Sequence, residues 1–122
     1  MMSDMDLQLE EDGNVYVLRM TGALTAETLP LYRKRMDALM KEHNVSSKDN
    51  LNFIVDYGKV TEVDSATVAN ILERLDSVVR QDHKVCFVNV PEKFKNLVTL
   101  LKVDGSIQMY DSEQQAREAL CA

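Results

Sequence analysis

The sequence has little of several residue types that particular functions require. It contains no tryptophan, three phenylalanines and four tyrosines, which argues against a surface on which single-stranded bases would stack. Its four glycines form no Gly-rich phosphate-binding loop. Its two cysteines are too few for a disulfide framework. Cys86 lies in an apolar run and is expected to be a small buried hydrophobe, and Cys121 an exposed terminal thiol.

Basic residues and long apolar runs are also scarce. The net charge of -6 and the pI near 4.8 argue against a nucleic-acid or anionic-membrane surface, because both require a basic patch. No apolar run approaches the roughly 18 residues that a membrane-spanning helix needs. The N-terminus is acidic and lacks the apolar core of a signal peptide. These features predict a cytoplasmic protein without membrane insertion.

What is present is typical of one folded domain over residues 1–122, with residues 1–4 as a flexible N-terminus. The length is 122 residues and 45% of them are apolar, enough for a real core. Apolar and polar residues alternate from Met5 to Glu10, an Asp-Gly turn follows, and Val15–Met20 is apolar. This pattern predicts an antiparallel hairpin. A helix is then expected with Thr28 as its cap and Pro30 in its first turn, ending near His43.

The rest of the chain alternates short apolar runs with patterns of helical period. Strands are predicted at Leu51–Asp56, Lys84–Val90 and Ile107–Tyr110, helices from Ser65, from Pro91 to Gly105 and from Ser112, and loops at Asn44–Asn50 and Tyr57–Val63. Ser112 and Gln115 have the spacing of a capping box. The order β-β-α-β-α-β-α-β-α predicts an α/β fold with a mixed, mostly parallel sheet and helices packed against it.

One junction allows two interpretations. Asp64 and Ser65 stand where an apolar strand gives way to a helix, in "VTEVDSATVANIL". Either residue could simply be an N-cap, and spacing alone favours that interpretation. Alternatively, Ser65 could be modified, since a phosphate at a helix start would meet free backbone N–H groups and the positive end of the helix dipole.

Three carboxylates near this junction raise the possibility of a metal site or a shared proton. They belong to Asp56, Glu62 and Asp64. The interpretation as ordinary loop residues is favoured, because no histidine lies nearby in sequence. His43 and His83 stand far apart without a Cys/His cluster, so a metal site there is not expected. The pattern also does not fit a phosphoaspartate receiver.

The segment "LNFIVDYGKVTEVDSATVANIL" resembles the signature of the STAS domain, as found in anti-sigma factor antagonists. That signature is a hydrophobic strand ending in Asp, a short loop, then Asp-Ser at a helix start. "RMTGALTAET" resembles the family's second strand running into its first helix. "KVCFVNVPEKFKNLVTLLKVDGSIQMYDSEQQAREAL" is similar to its closing strand-helix-strand-helix, so the resemblance spans nearly the whole chain.

The resemblance implies a phosphorylatable serine at Ser65. In such proteins the unphosphorylated form binds an anti-sigma factor that is also a serine kinase of the GHKL type, and this binding frees the sigma factor. Phosphorylation breaks the complex, and a PP2C-type phosphatase restores it. The protein would then be no enzyme, use no cofactor of its own, touch no nucleic acid directly and be a monomer or weak dimer.

The residues expected to bind the partner or to support the binding surface surround Ser65. They are Thr25, Asp56, Tyr57, Glu62, Asp64 and Thr67, and the surface is predicted to comprise Thr21–Ala26, Tyr57–Asp64 and the first turns of the second helix. The sequence departs from the family where Ala66, Thr67 and Val68 replace a small hydroxyl residue and a glycine. Thr67 and Val68 could narrow access to the serine. Thr25 stands where the family often has an acid.

Two other functions stay open at this point. The chain could be a STAS subunit without a switch, in a larger assembly such as a lipid-transport complex. It could also be a small enzyme that uses Asp56, Glu62 and Asp64.

Overall fold

The computed structural model describes residues 5–80, 83–100 and 108–121, with the backbone alone for 75–80 and 121. Its elements are β1 (Met5–Asp12), β2 (Val15–Leu24), α1 (Leu29–Glu42), a short 3-10 turn (Val45–Ser47), β3 (Asn52–Val63), α2 (Ser65–Arg80), β4 (Lys84–Val88), α3 (Glu92–Leu100), β5 (Gln108–Tyr110) and α4 (Glu113–Cys121). The predicted order of strands and helices is confirmed. No helix in the described ranges is long and apolar enough to cross a bilayer. The predictions for residues 1–4, Gly105 and Ile107 lie outside the described residues.

The five strands form one sheet in the order β1-β2-β3-β4-β5. β1 pairs with β2 in antiparallel fashion, and the other neighbouring pairs are parallel. Gly13 takes a positive φ of 64° in the hairpin turn, a conformation that glycine adopts without steric cost. The predicted mixed, mostly parallel sheet is therefore confirmed.

Helices cover both faces of the sheet. α1, α2 and α3 pack on one face in a core that includes Met36, Val55, Ile71 and Phe94. α4 packs on the opposite face, where its Ala116 meets a smaller apolar cluster from β2, β3 and β4. Side chains along a strand alternate between the two faces, so the central strand β3 is apolar on both sides, as predicted from its sequence.

The predicted loop at Tyr57–Val63 is wrong, because β3 continues to Val63. Beyond Asp56 the strand leaves β4 and pairs with β2 alone, whose residues Thr21–Leu24 accompany it. Two register shifts interrupt that pairing. Because a bulge breaks the two-residue period and one neighbour is missing, the segment carries polar, exposed residues and its sequence is typical of a loop. In the predicted surface segment Thr21–Ala26, the residues up to Leu24 likewise belong to a strand, β2, and only Thr25 and Ala26 follow it.

Smaller corrections concern the ends of elements. β4 ends at Val88 rather than Val90, since Asn89 takes a left-handed φ of 54°, which asparagine tolerates better than most residues. The polar segment after α1 contains a 3-10 turn that buries Val45. The capping box of α4 is confirmed in part. The Gln115 N–H donates to the Ser112 hydroxyl at 3.2 Å, while the Gln115 side chain accepts from the N–H of Asp111, at 3.0 Å.

An arginine network fixes the position of α4. Arg19 on β2 donates to Glu10 at 2.7 Å, to Asp56 at 2.9 Å and to Glu113 of α4 at 2.9 Å. The hydrogen bonds that Arg19 donates to Glu10, against a smaller effect of burial, raise the pKa of Arg19 further above its ordinary value. One guanidinium therefore bonds to three carboxylates and offsets part of the repulsion among them.

We predict that Arg19→Met lowers the free energy of unfolding by about 1–3 kcal/mol, because Asp56 and Glu113 would each lose a charged partner at a partly buried site. Urea unfolding at neutral pH measures this change. Arg35→Met is the matched control, since Arg35 forms a single, more exposed ion pair with Asp6. Equal losses from both variants would contradict a special role for Arg19.

Candidate functional site

The junction between β3 and α2 consists of Asp64 alone. Its Oδ1 accepts the backbone N–H of Thr67 at 3.0 Å, and its carbonyl accepts the N–H of Val68 at 3.1 Å. These two bonds make Asp64 the N-cap of α2. The structural interpretation of the Asp-Ser pair is therefore confirmed for Asp64, and capping leaves the neighbouring Ser65 unused.

Asp64 also ties the helix to the turn that follows β2. Its Oδ2 accepts the N–H of Ala26 at 2.8 Å, and its own N–H donates to the carbonyl of Leu24 at 3.1 Å. Burial acts to raise the pKa of Asp64, but the hydrogen bonds from Thr67 and Ala26 outweigh it, so this pKa lies below its ordinary value. Both carboxylate oxygens are thus occupied by bonds within the protein.

The turn after β2 is closed by Thr28. This residue occupies the N-cap position of α1 as predicted, yet its side chain makes no helix-capping bond. Its hydroxyl instead donates to the carbonyl of Ala23 at 2.7 Å and accepts the N–H of Thr25 at 3.1 Å. The turn is therefore braced from both sides, by Thr28 and by Asp64.

Ser65 is the first residue of α2, and its side chain is exposed. Within the described part of the chain, its hydroxyl and the backbone N–H groups of Ser65 and Ala66 have no hydrogen-bond partner. Thr67 and Val68 are fully buried, so the expectation that they narrow access to Ser65 is wrong. The serine is a free hydroxyl at the positive end of a helix of 16 residues.

Beside this junction is a depression of about 380 Å³. It is lined by Thr25, Ala26, Glu27, Glu62, Val63, Asp64 and Lys93. The structure thus brings Thr25 and Glu62 to the same edge as Asp64, as the sequence predicts. Lys93, in the first turn of α3, was missed. It follows the carboxyl end of β4, and the rule that these ends share one edge could have identified it.

Two other predicted site residues have structural roles. The Oδ2 of Asp56 binds Arg19, and its Oδ1 accepts from the Gly58 N–H at 2.9 Å and from Asn89 at 3.0 Å. Tyr57 is buried in the core. These two residues and the buried Thr67 support the site from within and do not present a side chain to a partner. The sequence alone did not distinguish such supporting residues from residues that contact a partner.

The carboxylates do not assemble into a metal site. Across the described ranges, no group of three or more His, Cys, Asp or Glu residues could hold an ion. The Arg19 network holds Asp56, two backbone N–H groups occupy Asp64, and Glu62 is exposed. The arrangement supports binding and modification at a surface better than acid–base chemistry.

We predict that Asp64→Asn lowers the free energy of unfolding at neutral pH by about 1 kcal/mol, because a charged acceptor of two N–H groups becomes a neutral one. The difference in the free energy of unfolding between Asp64→Asn and the unaltered protein should become smaller as the pH is lowered. The folded-state pKa of Asp64 is lowered, so its stabilisation is complete above the unfolded pKa of about 3.9 and is lost as pH falls through the lower folded value.

Urea unfolding of both proteins between about pH 6 and pH 2 measures this difference, with Glu62→Gln as the control at a neighbouring exposed carboxylate. A difference for Asp64→Asn that stays constant down to the lowest pH would show that the carboxylate charge is not what stabilises the junction.

Comparisons with known proteins agree with this architecture. A family model of the STAS domain matches residues 6–116. A search of curated proteins found no significant sequence match.

Several solved structures share the fold. An anti-sigma factor antagonist from Mycobacterium paratuberculosis is similar with a TM-score of 0.77 and 13% identity, over 97% of this chain and 95% of that one. The Bacillus cell fate determinant SpoIIAA in its phosphorylated form is similar with a TM-score of 0.66 and 16% identity, over 94% of this chain and 99% of that one. The murine anion transporter Slc26a9 gives 0.74 and 13%, over 92% of this chain but 18% of that one. At these identities the likeness establishes a shared fold, and because the family model covers most of the sequence, the chain belongs to the STAS domain family.

Proposed function

We propose that this protein is an anti-sigma factor antagonist that is switched by phosphorylation of Ser65. The observation that carries the proposal is the division of roles at the β3–α2 junction. Asp64 makes all the capping bonds, so the exposed hydroxyl of Ser65 is not needed to hold the fold. A residue that serves only as a cap would have its side chain bound to the helix.

The local structure can accept a phosphate. The unpaired N–H groups of Ser65 and Ala66 and the positive end of α2 offer favourable contacts to an anion. Lys93 lies beside the same depression as Asp64 and adds a positive charge. Phosphorylation should therefore leave the fold intact.

A bound partner would be affected differently. A phosphate adds between one and two negative charges at an edge that already carries Glu27, Glu62 and Asp64. Its field is screened within about 8 Å at physiological salt, so it can break a complex only from within or beside the interface. We therefore infer that the binding surface comprises Thr25–Glu27, the exposed end of β3, the start of α2 and Lys93.

The partner we propose is an anti-sigma factor that is also a serine kinase of the GHKL type, with a PP2C-type phosphatase reversing the reaction. The support is family membership together with two structural neighbours, one an anti-sigma factor antagonist and the other a protein solved in a phosphorylated form. The kinase brings the ATP, so the antagonist itself would need no nucleotide site.

A second candidate is a STAS module that does not switch and belongs to a larger assembly. The likeness to a part of the murine transporter favours it. This module would have no use for a free serine at the start of α2, and the exposure of Ser65 therefore favours the first candidate.

We predict that Ser65→Asp keeps its melting temperature within a few degrees and binds the kinase partner at least about tenfold more weakly, because the helix dipole accepts the charge and the partner does not. Ser65→Ala should bind normally and be insensitive to kinase and ATP. Isothermal titration and thermal unfolding measure both effects. Ser47→Asp is the control, at an exposed serine before the opposite end of β3. A Ser65→Asp protein that melts much lower, or binds with unchanged affinity, would refute the electrostatic account.

We also predict that Glu62→Lys and Lys93→Glu each change the affinity for the kinase partner by several-fold or more, because both side chains line the depression beside Ser65. Glu118→Lys should have no effect, since Glu118 is an exposed residue of α4, on the other face of the sheet. Titrations at low and physiological salt measure the three variants. If Glu118→Lys changed the affinity as much as Glu62→Lys and Lys93→Glu do, the interface would not lie at the depression beside Ser65.

A further inference from the structure

A second cavity lies under the helices α1 and α2. It has a volume of about 270 Å³ and lies between α1, α2 and the face of the sheet that these helices cover. Its walls include Met36 and Met40 of α1 and Val85 near the start of β4. None of its lining residues lines the depression beside Ser65. The cavity is therefore separate from the surface proposed for the switch.

His83 contributes an unsatisfied donor to this cavity. Its Nδ1 accepts the backbone N–H of Leu51 at 3.0 Å, so the ring proton of the neutral imidazole must be on Nε2. That Nε2 is buried and has no hydrogen-bond partner in the described ranges. The ring is 4% exposed and lies edge-on to Phe53, with centroids 5.5 Å apart. An N–H group is thus fixed in an apolar wall without an acceptor among the residues that the structure describes.

Tyr57 contributes a second unsatisfied donor to the cavity. Its hydroxyl is buried and likewise has no partner among the described residues, although its side chain lines the cavity. Phe87 and Phe94 flank the ring, with centroids 5.1 and 4.7 Å away. Burial, with a smaller effect of Tyr32, raises the pKa of Tyr57 well above its ordinary value. The group is therefore a neutral phenol that can donate.

Buried donors without acceptors are costly, and phenylalanine at position 57 would fill the same space without that cost. Two such donors line one cavity that is otherwise mostly apolar. We propose that this cavity binds an elongated, mostly apolar small molecule with a hydrogen-bond acceptor oxygen near each end. The inference does not depend on the function proposed for Ser65.

The size and position of the donors define the ligand class. A cavity of about 150 Å³ accommodates benzene, so one of 270 Å³ holds a molecule of roughly ten non-hydrogen atoms. His83 contacts Phe53, and Tyr57 lies four residues farther along β3. Four residues of strand span about 13 Å, so the two donors are roughly that far apart. Arg74 also lines the cavity and already pairs with Asp37 at 2.8 Å, so a ligand carboxylate would share its guanidinium with Asp37. A medium-chain hydroxy acid has these properties.

The test uses ω-hydroxyoctanoate as the probe, titrated into the full chain and followed by amide NMR shifts and calorimetry. We expect saturable binding, with shifts concentrated at cavity-lining residues of α1, α2 and β3, and weaker binding of octanoate, which has an acceptor at one end. Tyr57→Phe and His83→Asn should each weaken binding by roughly five- to tenfold. The asparagine keeps an acceptor for the Leu51 N–H, and its shorter side chain places no donor at the position of Nε2.

Tyr16→Phe is the matched control, because Tyr16 is equally buried but bonds to Lys48 and does not line the cavity. Its affinity for the probe should be unchanged. The unliganded Tyr57→Phe protein should melt no lower than the unaltered chain, since it loses no hydrogen bond. The proposal is overturned if the probe causes no shifts at millimolar concentration, or if all three variants bind it equally. The proposal is also overturned if ordered water molecules stay bound to the His83 Nε2–H and to the Tyr57 hydroxyl at a saturating concentration of the probe.

Discussion

The carboxylate of Asp64 is the interaction on which the proposed site depends. One oxygen caps α2 through Thr67, and the other fixes the turn after β2 through Ala26. A single side chain thereby determines where the helix begins and how the neighbouring turn lies against it. Because Asp64 satisfies the helix end, the adjacent Ser65 is left with a free hydroxyl at the surface. The adjacency of the two residues thus has a physical reason, in which one holds the geometry and the other is available for modification.

The two faces of the sheet carry different kinds of charge. On the α4 face, Arg19 and Arg117 neutralise carboxylates through short ion pairs, and these charges hold helix and sheet together. At the carboxyl end of β3, the carboxylates are exposed or bound to backbone N–H groups, with Lys93 beside them. An added charge on the α4 face would disturb the packing of helix and sheet. An added charge at the carboxyl end of β3 would disturb only the binding of a partner. This difference explains why a charge switch suits the start of α2.

The sequence predicted the order of the elements and the position of Ser65, since both follow from local periodicity and a short motif. It did not predict the length of β3, because two register shifts and the absence of β4 beyond Asp56 remove the period that identifies strands. The sequence places Asp56 and Tyr57 at a predicted loop near Ser65, whereas their side chains are directed into the Arg19 network and the core. Lys93 and the cavity containing His83 arise from packing between distant elements, which no local pattern reports.

The claim that Ser65 is a phosphorylation switch is tested most directly by the intact mass of the protein purified from its native host. The mass should be measured with and without phosphatase treatment, for the unaltered chain and for Ser65→Ala. The account predicts a fraction heavier by one phosphate that disappears with phosphatase and is absent from Ser65→Ala. A heavier fraction that persists in Ser65→Ala, or no heavier fraction under any growth condition, would contradict it.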